Sequence, residues 1–178
     1  MTKNHLFILI LIILMITIGV EAQAAHLIEG RTMGTTYHIQ VDTATAKIVR
    51  GLTQKIDRRL AEINQVFSTY IKHTEISRFN ALNTAGEKFQ VSDDFMQVMR
   101  VARKIYELSG GALDGTVSPL VDLWSFGPTR RDPKMPPAAE IKARMQNTGF
   151  DLIQIEDPHF LVKKLAAVTL DLNAIAKG

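Results

Sequence analysis

The sequence contains no cysteine. That excludes disulfide staples, cysteine metal sites and the lipid-bearing cysteine of a bacterial lipoprotein. A domain of this size without disulfides has to rely on its apolar core. Charge of one sign is also scarce: the net charge is +3 at pH 7, with acidic and basic residues mixed along the chain. Arg130-Arg131 and Lys163-Lys164 are short basic pairs, expected at solvated loop ends. No basic stripe is interleaved with aromatics, so nucleic-acid binding is not expected. The five histidines (His5, His26, His38, His73 and His159) show no ligand spacing. No Gly-x-Ser-x-Gly, P-loop or His-Glu-x-x-His pattern occurs, which argues against a serine triad or a histidine-held metal.

Long apolar runs are equally rare, with one exception at the start. Lys3 and His5 lead into an apolar run from Leu6 to Val20, followed by Ala22-Gln23-Ala24. This is the charged, apolar and small-x-small order of a secretory signal. The run is about 15 residues, short of the roughly 20 that span a bilayer comfortably. Residues 1–24 are therefore expected to be a signal peptide cleaved after Ala24. The alternative is an uncleaved anchor in the inner membrane. Either way the folded part, residues 25–178, lies outside the cytoplasm, in the periplasm.

Beyond the leader, Tyr37, Ile39 and Val41 alternate on one face of a strand over residues 36–41. Asp42 or Thr43 is placed to cap a long helix reaching about Phe67, whose apolar stripe is Ile48, Leu52, Ile56, Leu60, Ile63 and Phe67. Ser92 caps a second helix with Asp93 and Asp94 in its first turn, where carboxylates suit the positive dipole end. Phe95, Met99, Ala102 and Tyr106 form its buried face, and Gly110 stops it. Pro136-Pro137 opens a third helix that ends near Asn147-Thr148-Gly149. Short strands follow at residues 152–155, 160–162 and 168–172. Helices interleaved with short strands read as α+β or α/β.

The most specified stretch is Gly110-Gly111-Ala112-Leu113-Asp114-Gly115-Thr116-Val117-Ser118-Pro119-Leu120. Dense glycine lets backbone N–H groups approach a ligand closely, and Asp114 adds a fixed acceptor. A nucleotide-sized ligand fits that description. So does a turn in which Asp114 accepts from neighbouring N–H groups above an apolar plug of Leu120, Leu123, Trp124 and Phe126. Trp124 and Phe126 are expected in the core. Farther on, Val168-Thr169-Leu170-Asp171-Leu172 alternates like a strand, and Asn173-Ala174-Ile175-Ala176-Lys177-Gly178 resembles the first turn of a helix. A strand ending in Asp171, followed by helix N–H groups and a lysine, suits a phosphate or a hydrated cation.

Two further residues have both a ligand-facing and a plain reading. Met33, beside a turn at Gly30-Arg31-Thr32, is either a polarizable surface for a flat ring or a core methionine at a strand start. Tyr70, closing Phe67-Ser68-Thr69-Tyr70, offers a stacking face and a hydroxyl, or else seals a helix end. Arg78 and Asn80 read as supports for the loop that carries Tyr70.

Taken together, Thr32-Met33-Gly34-Thr35, Phe67-Ser68-Thr69-Tyr70, Gly-x-x-Asp-Gly-Thr-x-x-Pro-Leu and Asp-Leu-x-x-Ile-Ala-Lys-Gly resemble the ApbE family of flavin transferases. The resemblance runs from about Glu29 to Gly178. It implies an α+β fold, an ApbE-like mixed domain related to the T-fold and incomplete at its C-terminus, since family members continue for a comparable length. The catalytic residues are expected in that further part, and the 178-residue chain alone is expected to be inactive.

The resemblance also implies an activity, the magnesium-dependent transfer of FMN from FAD to a threonine hydroxyl with release of AMP. It implies FAD contacts at Met33, Tyr70, Ala112, Leu113, Asp114, Asp171 and Lys177, and a magnesium (Mg2+) ligand at the backbone carbonyl of Ala174. The implied acceptors are flavoprotein subunits of membrane redox complexes, of the Rnf or sodium-pumping NADH:quinone oxidoreductase type. Alternatives are an FAD-binding module, an inactive truncated fragment or an FAD pyrophosphatase. The acceptor, the catalytic base and the oligomeric state are not legible in the residues.

Overall fold

The computed structural model describes residues 25–42, 46–128 and 135–176. The expected signal segment, Thr43, Arg130-Arg131 and Lys177 lie outside the described residues. The described residues form two compact units, one within residues 25–30 and 36–55 and the other within residues 31–35 and 56–176.

The first unit holds most of strands β1 (Ala25–Thr32) and β2 (Thr35–Asp42), which pair in a two-stranded sheet. Gly30, Arg31 and Thr32, read above as a turn, belong to β1; the turn is Met33-Gly34. A Cβ on Gly30 would sit 2.5 Å from the hydroxyl of Tyr37, so the glycine gives the tyrosine ring its place on the sheet. Tyr37, Ile39 and Val41 are half-buried while His38 and Gln40 are exposed, which is the alternation expected of β2. Asp42 ends β2 and does not open the helix that follows. Helix α1 (Ala46–Phe67) starts in this unit and ends in the other. Of its predicted stripe, Leu52, Ile56, Leu60 and Ile63 are half-buried and Phe67 is fully buried.

The second unit holds the main core. Helix α2 (Glu75–Ala81) was not foreseen. Thr74 caps it by accepting from the Ser77 N–H at 3.2 Å, and it buries Ile76 and Phe79. Strand β3 (Lys88–Gln90) precedes α3 (Asp93–Leu108). The Ser92 hydroxyl accepts from Phe95 N–H at 3.3 Å, the cap expected from sequence. Phe95, Met96, Met99 and Ala102 are buried, and Tyr106 is half-buried against Phe150 with ring centres 5.7 Å apart. Short helices α4 (Ser118–Leu123) and α5 (Ala138–Met145) follow, the latter opened by Pro137 as the sequence suggests. A 3-10 turn (Phe150–Leu152) leads into β4 (Ile153–Glu156) and β5 (Phe160–Lys163). These form an antiparallel sheet in the order β3-β5-β4, with Phe89 opposite Leu161 and Ile155 opposite Leu161 on the other side. Helix α6 (Asn173–Ala176) comes last.

Phe67, Phe79 and Phe95 stack at the centre of this core, Phe67 to Phe95 at 5.4 Å and Phe79 to Phe95 at 6.3 Å. Tilted pairs of this kind add to the burial of the rings themselves. The architecture is α+β, as expected.

Three expectations are corrected here. Residues 168–172 are not a strand: they alternate as expected, with Val168, Leu170 and Leu172 buried, but among the described residues no strand pairs with them. Instead the Leu170 N–H donates to Asn80 Oδ1 at 2.7 Å, Asn80 Nδ2 donates to the Leu170 carbonyl at 2.8 Å, and Asp171 N–H donates to the Gly115 carbonyl at 2.8 Å. Trp124 and Phe126 are 44% and 78% exposed rather than core; Leu123 alone of that run is buried. Lys163, expected at a solvated loop end, is 1% exposed within β5.

Candidate functional site

The β1–β2 turn places Met33 at φ 49° and Gly34 at φ 77°. Two successive left-handed residues make the mirror-image turn whose twist suits a two-residue hairpin. Glycine occupies such a conformation freely; methionine does so at a cost of order 1–3 kcal/mol, which the surrounding structure has to hold in place. Met33 and Gly34 belong to the second unit and line a cleft of about 510 Å³ with Asn64, Phe67, Ser68, Tyr70, Ile71, Asn173 and Ala176. Its walls thus carry a thioether, two aromatic rings and an aliphatic chain, with the amides of Asn64 and Asn173 as polar fixtures. The volume and lining suit a flat heteroaromatic ligand.

Tyr70 is 65% exposed on the loop after α1. Ser68 anchors that loop. Its carbonyl accepts from the Thr74 hydroxyl at 2.7 Å and the Ser77 hydroxyl at 3.2 Å, and its own hydroxyl accepts from the Tyr70 N–H at 3.3 Å. Thr74 is wholly buried. The loop is therefore held by Thr74 and Ser77, not by Arg78 and Asn80 as the sequence suggested. The Arg78 guanidinium lies 5.6 Å from the Phe89 ring centre, and Asn80 grips Leu170.

A second cleft, of about 240 Å³, is lined by Leu113, Asp114, Gly115, Val117, Val121, Asp171, Leu172, Asn173, Ala174 and Ile175. The glycine-rich loop and residues 171–175 meet here because Gly115 is small: a Cβ there would lie 2.8 Å from Leu172 Cδ2. The turn-acceptor reading of Asp114 is realised, since its Oδ1 accepts from the Thr116 N–H at 2.8 Å and the Thr116 hydroxyl at 2.7 Å. Thr116, fully buried, in turn accepts from the Gly149 N–H at 2.6 Å, tying the loop to the start of the 3-10 turn. Asp171 Oδ1 accepts from the Asn173 N–H at 2.9 Å and so shapes the entry to α6.

Of the residues singled out in the sequence, Met33 and Tyr70 share the large cleft, and Leu113, Asp114, Asp171 and Ala174 share the smaller one. Asn173 lines both. Ala112 is exposed and lines neither. Asn64 and Asn173 escaped sequence reasoning, because a single asparagine on a helix carries no spacing signal. Among the described residues no three His, Cys, Asp or Glu side chains are grouped to hold a metal ion. The small cleft nevertheless brings two residues with carboxylate side chains, Asp114 and Asp171, together with Ala174. Such a set suits magnesium when phosphate and water oxygens complete its shell.

A third cleft, of about 310 Å³, is lined by Thr69, Lys72, Ser77, Asn80, Ser118, Val121, Asp122, Pro128, Thr169 and Asp171. Asp171 is common to it and the 240 Å³ cleft.

The model of the ApbE family matches residues 33–178. The chain is 40% identical to the FAD:protein FMN transferase of Vibrio cholerae over 177 residues, covering 99% of this chain and 52% of that protein. It is 36% identical to the FAD:protein FMN transferase of Haemophilus influenzae over 156 residues, covering 85% and 45%. Among solved structures it is similar to the flavin transferase ApbE from Vibrio cholerae (TM-score 0.77, 40% identity, 86% of this chain and 50% of that one). It is likewise similar to the Pseudomonas stutzeri flavinyl transferase ApbE in its apo form (TM-score 0.79, 31% identity, 89% and 52%). The chain spans about half the length of the curated relatives it matches.

Proposed function

The chain belongs to the ApbE family, and from that premise we propose that it serves the transfer of FMN from FAD to a threonine hydroxyl of an acceptor flavoprotein, with AMP as the leaving group. The observation that carries this reading is the pair of clefts meeting at Asn173. One offers apolar surfaces at Met33, Phe67 and Tyr70, and the other is lined by Asp114, Asp171 and Ala174. A dinucleotide with a ring at one end and a pyrophosphate toward the other matches that division of chemistry. Leu113 lines the phosphate side, and Lys177 and Ala112 are assigned to FAD on the family pattern.

In the reaction, the acceptor oxygen bonds to the FMN phosphorus and the bond from that phosphorus to the bridging pyrophosphate oxygen breaks. AMP departs with the electron pair and the hydroxyl proton is released, so atoms and charge balance without redox change. Asp114, Asp171 and the Ala174 carbonyl would hold magnesium together with the pyrophosphate. When bound, the ion neutralises phosphate charge. The chain's own task is orientation. Met33 and Tyr70 fix the ring, and the stapled loops fix the phosphate end, which lowers the entropic part of the barrier. We further propose an extracytoplasmic site of action, from the apolar leader, and acceptors among subunits of Rnf-type or sodium-pumping NADH:quinone oxidoreductase complexes.

The test uses the protein at its full natural length, incubated with FAD, magnesium and a flavin-free acceptor. The expected result is a covalent flavin band by in-gel fluorescence, abolished by EDTA and restored by magnesium. Release of free FMN with no band would instead identify a pyrophosphatase, and FAD binding with neither product a binding module.

A further inference from the structure

We propose that the 310 Å³ cleft seats the second substrate, a short peptide segment of small polar residues that presents the hydroxyl to be flavinylated. The proposal rests on the transferase reading above, which needs two substrates held side by side. The 510 Å³ and 240 Å³ clefts are assigned to the nucleotide.

The chemistry of the lining chooses the occupant. No aromatic side chain lines this cleft among the described residues. A flavin or adenine ring would find no flat partner there, unlike in the cleft that holds Phe67 and Tyr70. What lines it instead is hydroxyl and charge: Thr69, Ser77, Ser118 and Thr169, with Lys72 as a cation. Main-chain amides of a peptide can both donate to and accept from hydroxyls, so such a lining reads backbone. The Thr69 hydroxyl is closed to solvent and has no hydrogen-bond partner among the described residues. An unpartnered buried hydroxyl is destabilising, and a ligand that bonds to it removes that cost.

Position makes the same assignment. Thr69 directly precedes Tyr70 of the large cleft, and Asp171 is a common wall with the cleft that holds Asp114. A segment bound here would share the Asp171 wall with the proposed pyrophosphate position. Its hydroxyl oxygen forms the new bond to the FMN phosphorus while AMP leaves, the step already balanced above.

Two variants test this in the protein at its full natural length. Thr69→Val removes the unpartnered hydroxyl at constant shape, and Ser118→Tyr fills the cleft. The acceptor probe is the organism's own flavinylated polypeptide, purified without flavin from cells lacking the transferase. Both variants are expected to bind FAD within about twofold of wild type by flavin fluorescence. Both should raise the KM for acceptor by roughly tenfold or more, with the KM for FAD unchanged. Thr69→Val should at the same time raise Tm, which a loss of fold would not do. A parallel loss of FAD affinity would give the cleft to the nucleotide and overturn the proposal. Unchanged acceptor kinetics in both variants would overturn it as well. A wild-type protein that bound no FAD would sink the transferase reading itself, and this proposal with it.

Discussion

Lys163 carries its charge among carbonyls rather than carboxylates. Its ammonium donates to the carbonyls of Asn80 at 3.1 Å, Leu82 at 3.0 Å and Ala166 at 3.4 Å, and it lies 5.1 Å from the Phe79 ring centre. Burial pulls its pKa down to about 8 from 10.5, and the three accepting carbonyls oppose that pull. Between those values the unfolded chain holds the proton that the folded one gives up. Stability from this group therefore rises as pH rises from about 8 to 10.5. The full effect is on the order of 3 kcal/mol at most. Lys163→Met should abolish that alkaline rise in Tm relative to wild type, and equal pH profiles would contradict it. At Asp114 the structure allows charge and turn to be separated. Asparagine keeps the oxygen that accepts from Thr116, so Asp114→Asn should preserve Tm while weakening FAD binding by about ten- to hundredfold. Asp114→Ala should lower Tm as well, because it strips the acceptor from the buried Thr116. Titration of flavin fluorescence beside thermal melts reads both.

At the scale of elements, what the sequence displays is periodicity and caps. The stripe of α1, the Phe95–Met99–Ala102 face and the alternation of β2 were legible because each repeats along the chain, and the Ser92 cap because its residue type marks a helix start. Three elements without room for a repeat were not. Helix α2 spans 7 residues, β3 spans 3 and α4 spans 6. Residues 168–172 show the opposite failure: the alternation was real, but an extended segment becomes a strand only beside another, and its partners are one asparagine and one glycine carbonyl. Asn80→Leu should thus leave both polar groups of Leu170 unsatisfied. We expect a loss of about 2–4 kcal/mol in urea unfolding, and a loss within 0.5 kcal/mol, in the range of an ordinary surface change, would mean that other groups replace the amide. The site was legible in the same uneven way. Asp114 and Asp171 stood out by chemistry, whereas the bonds that Asn80 makes to Leu170 join residues far apart in the chain and leave no local mark.

For the whole molecule, sequence patterning counts apolar residues but does not say what covers them, which is why Trp124 and Phe126 were misplaced. Among the described residues no helix is long and apolar enough to cross a membrane, and the apolar leader is where any membrane contact is expected. Protein recovered from a bacterial periplasm should have an intact mass beginning at Ala25. A cytoplasmic product retaining Met1 would refute export.

The grip of Asn80 on Leu170 also has a consequence in time. Amide hydrogens exchange slowly where their bonds break only on wide opening, and such protection usually marks helices and sheets. The Leu170 and Asp171 amides belong to neither, yet each is bonded, at 2.7 Å and 2.8 Å, and flanked by buried leucines. In deuterated solvent they should exchange as slowly as the amides of β5, and fast exchange at both would show that these bonds open locally. A slow-exchanging stretch in an irregular segment would be the isotopic signature of a side chain standing in for a strand.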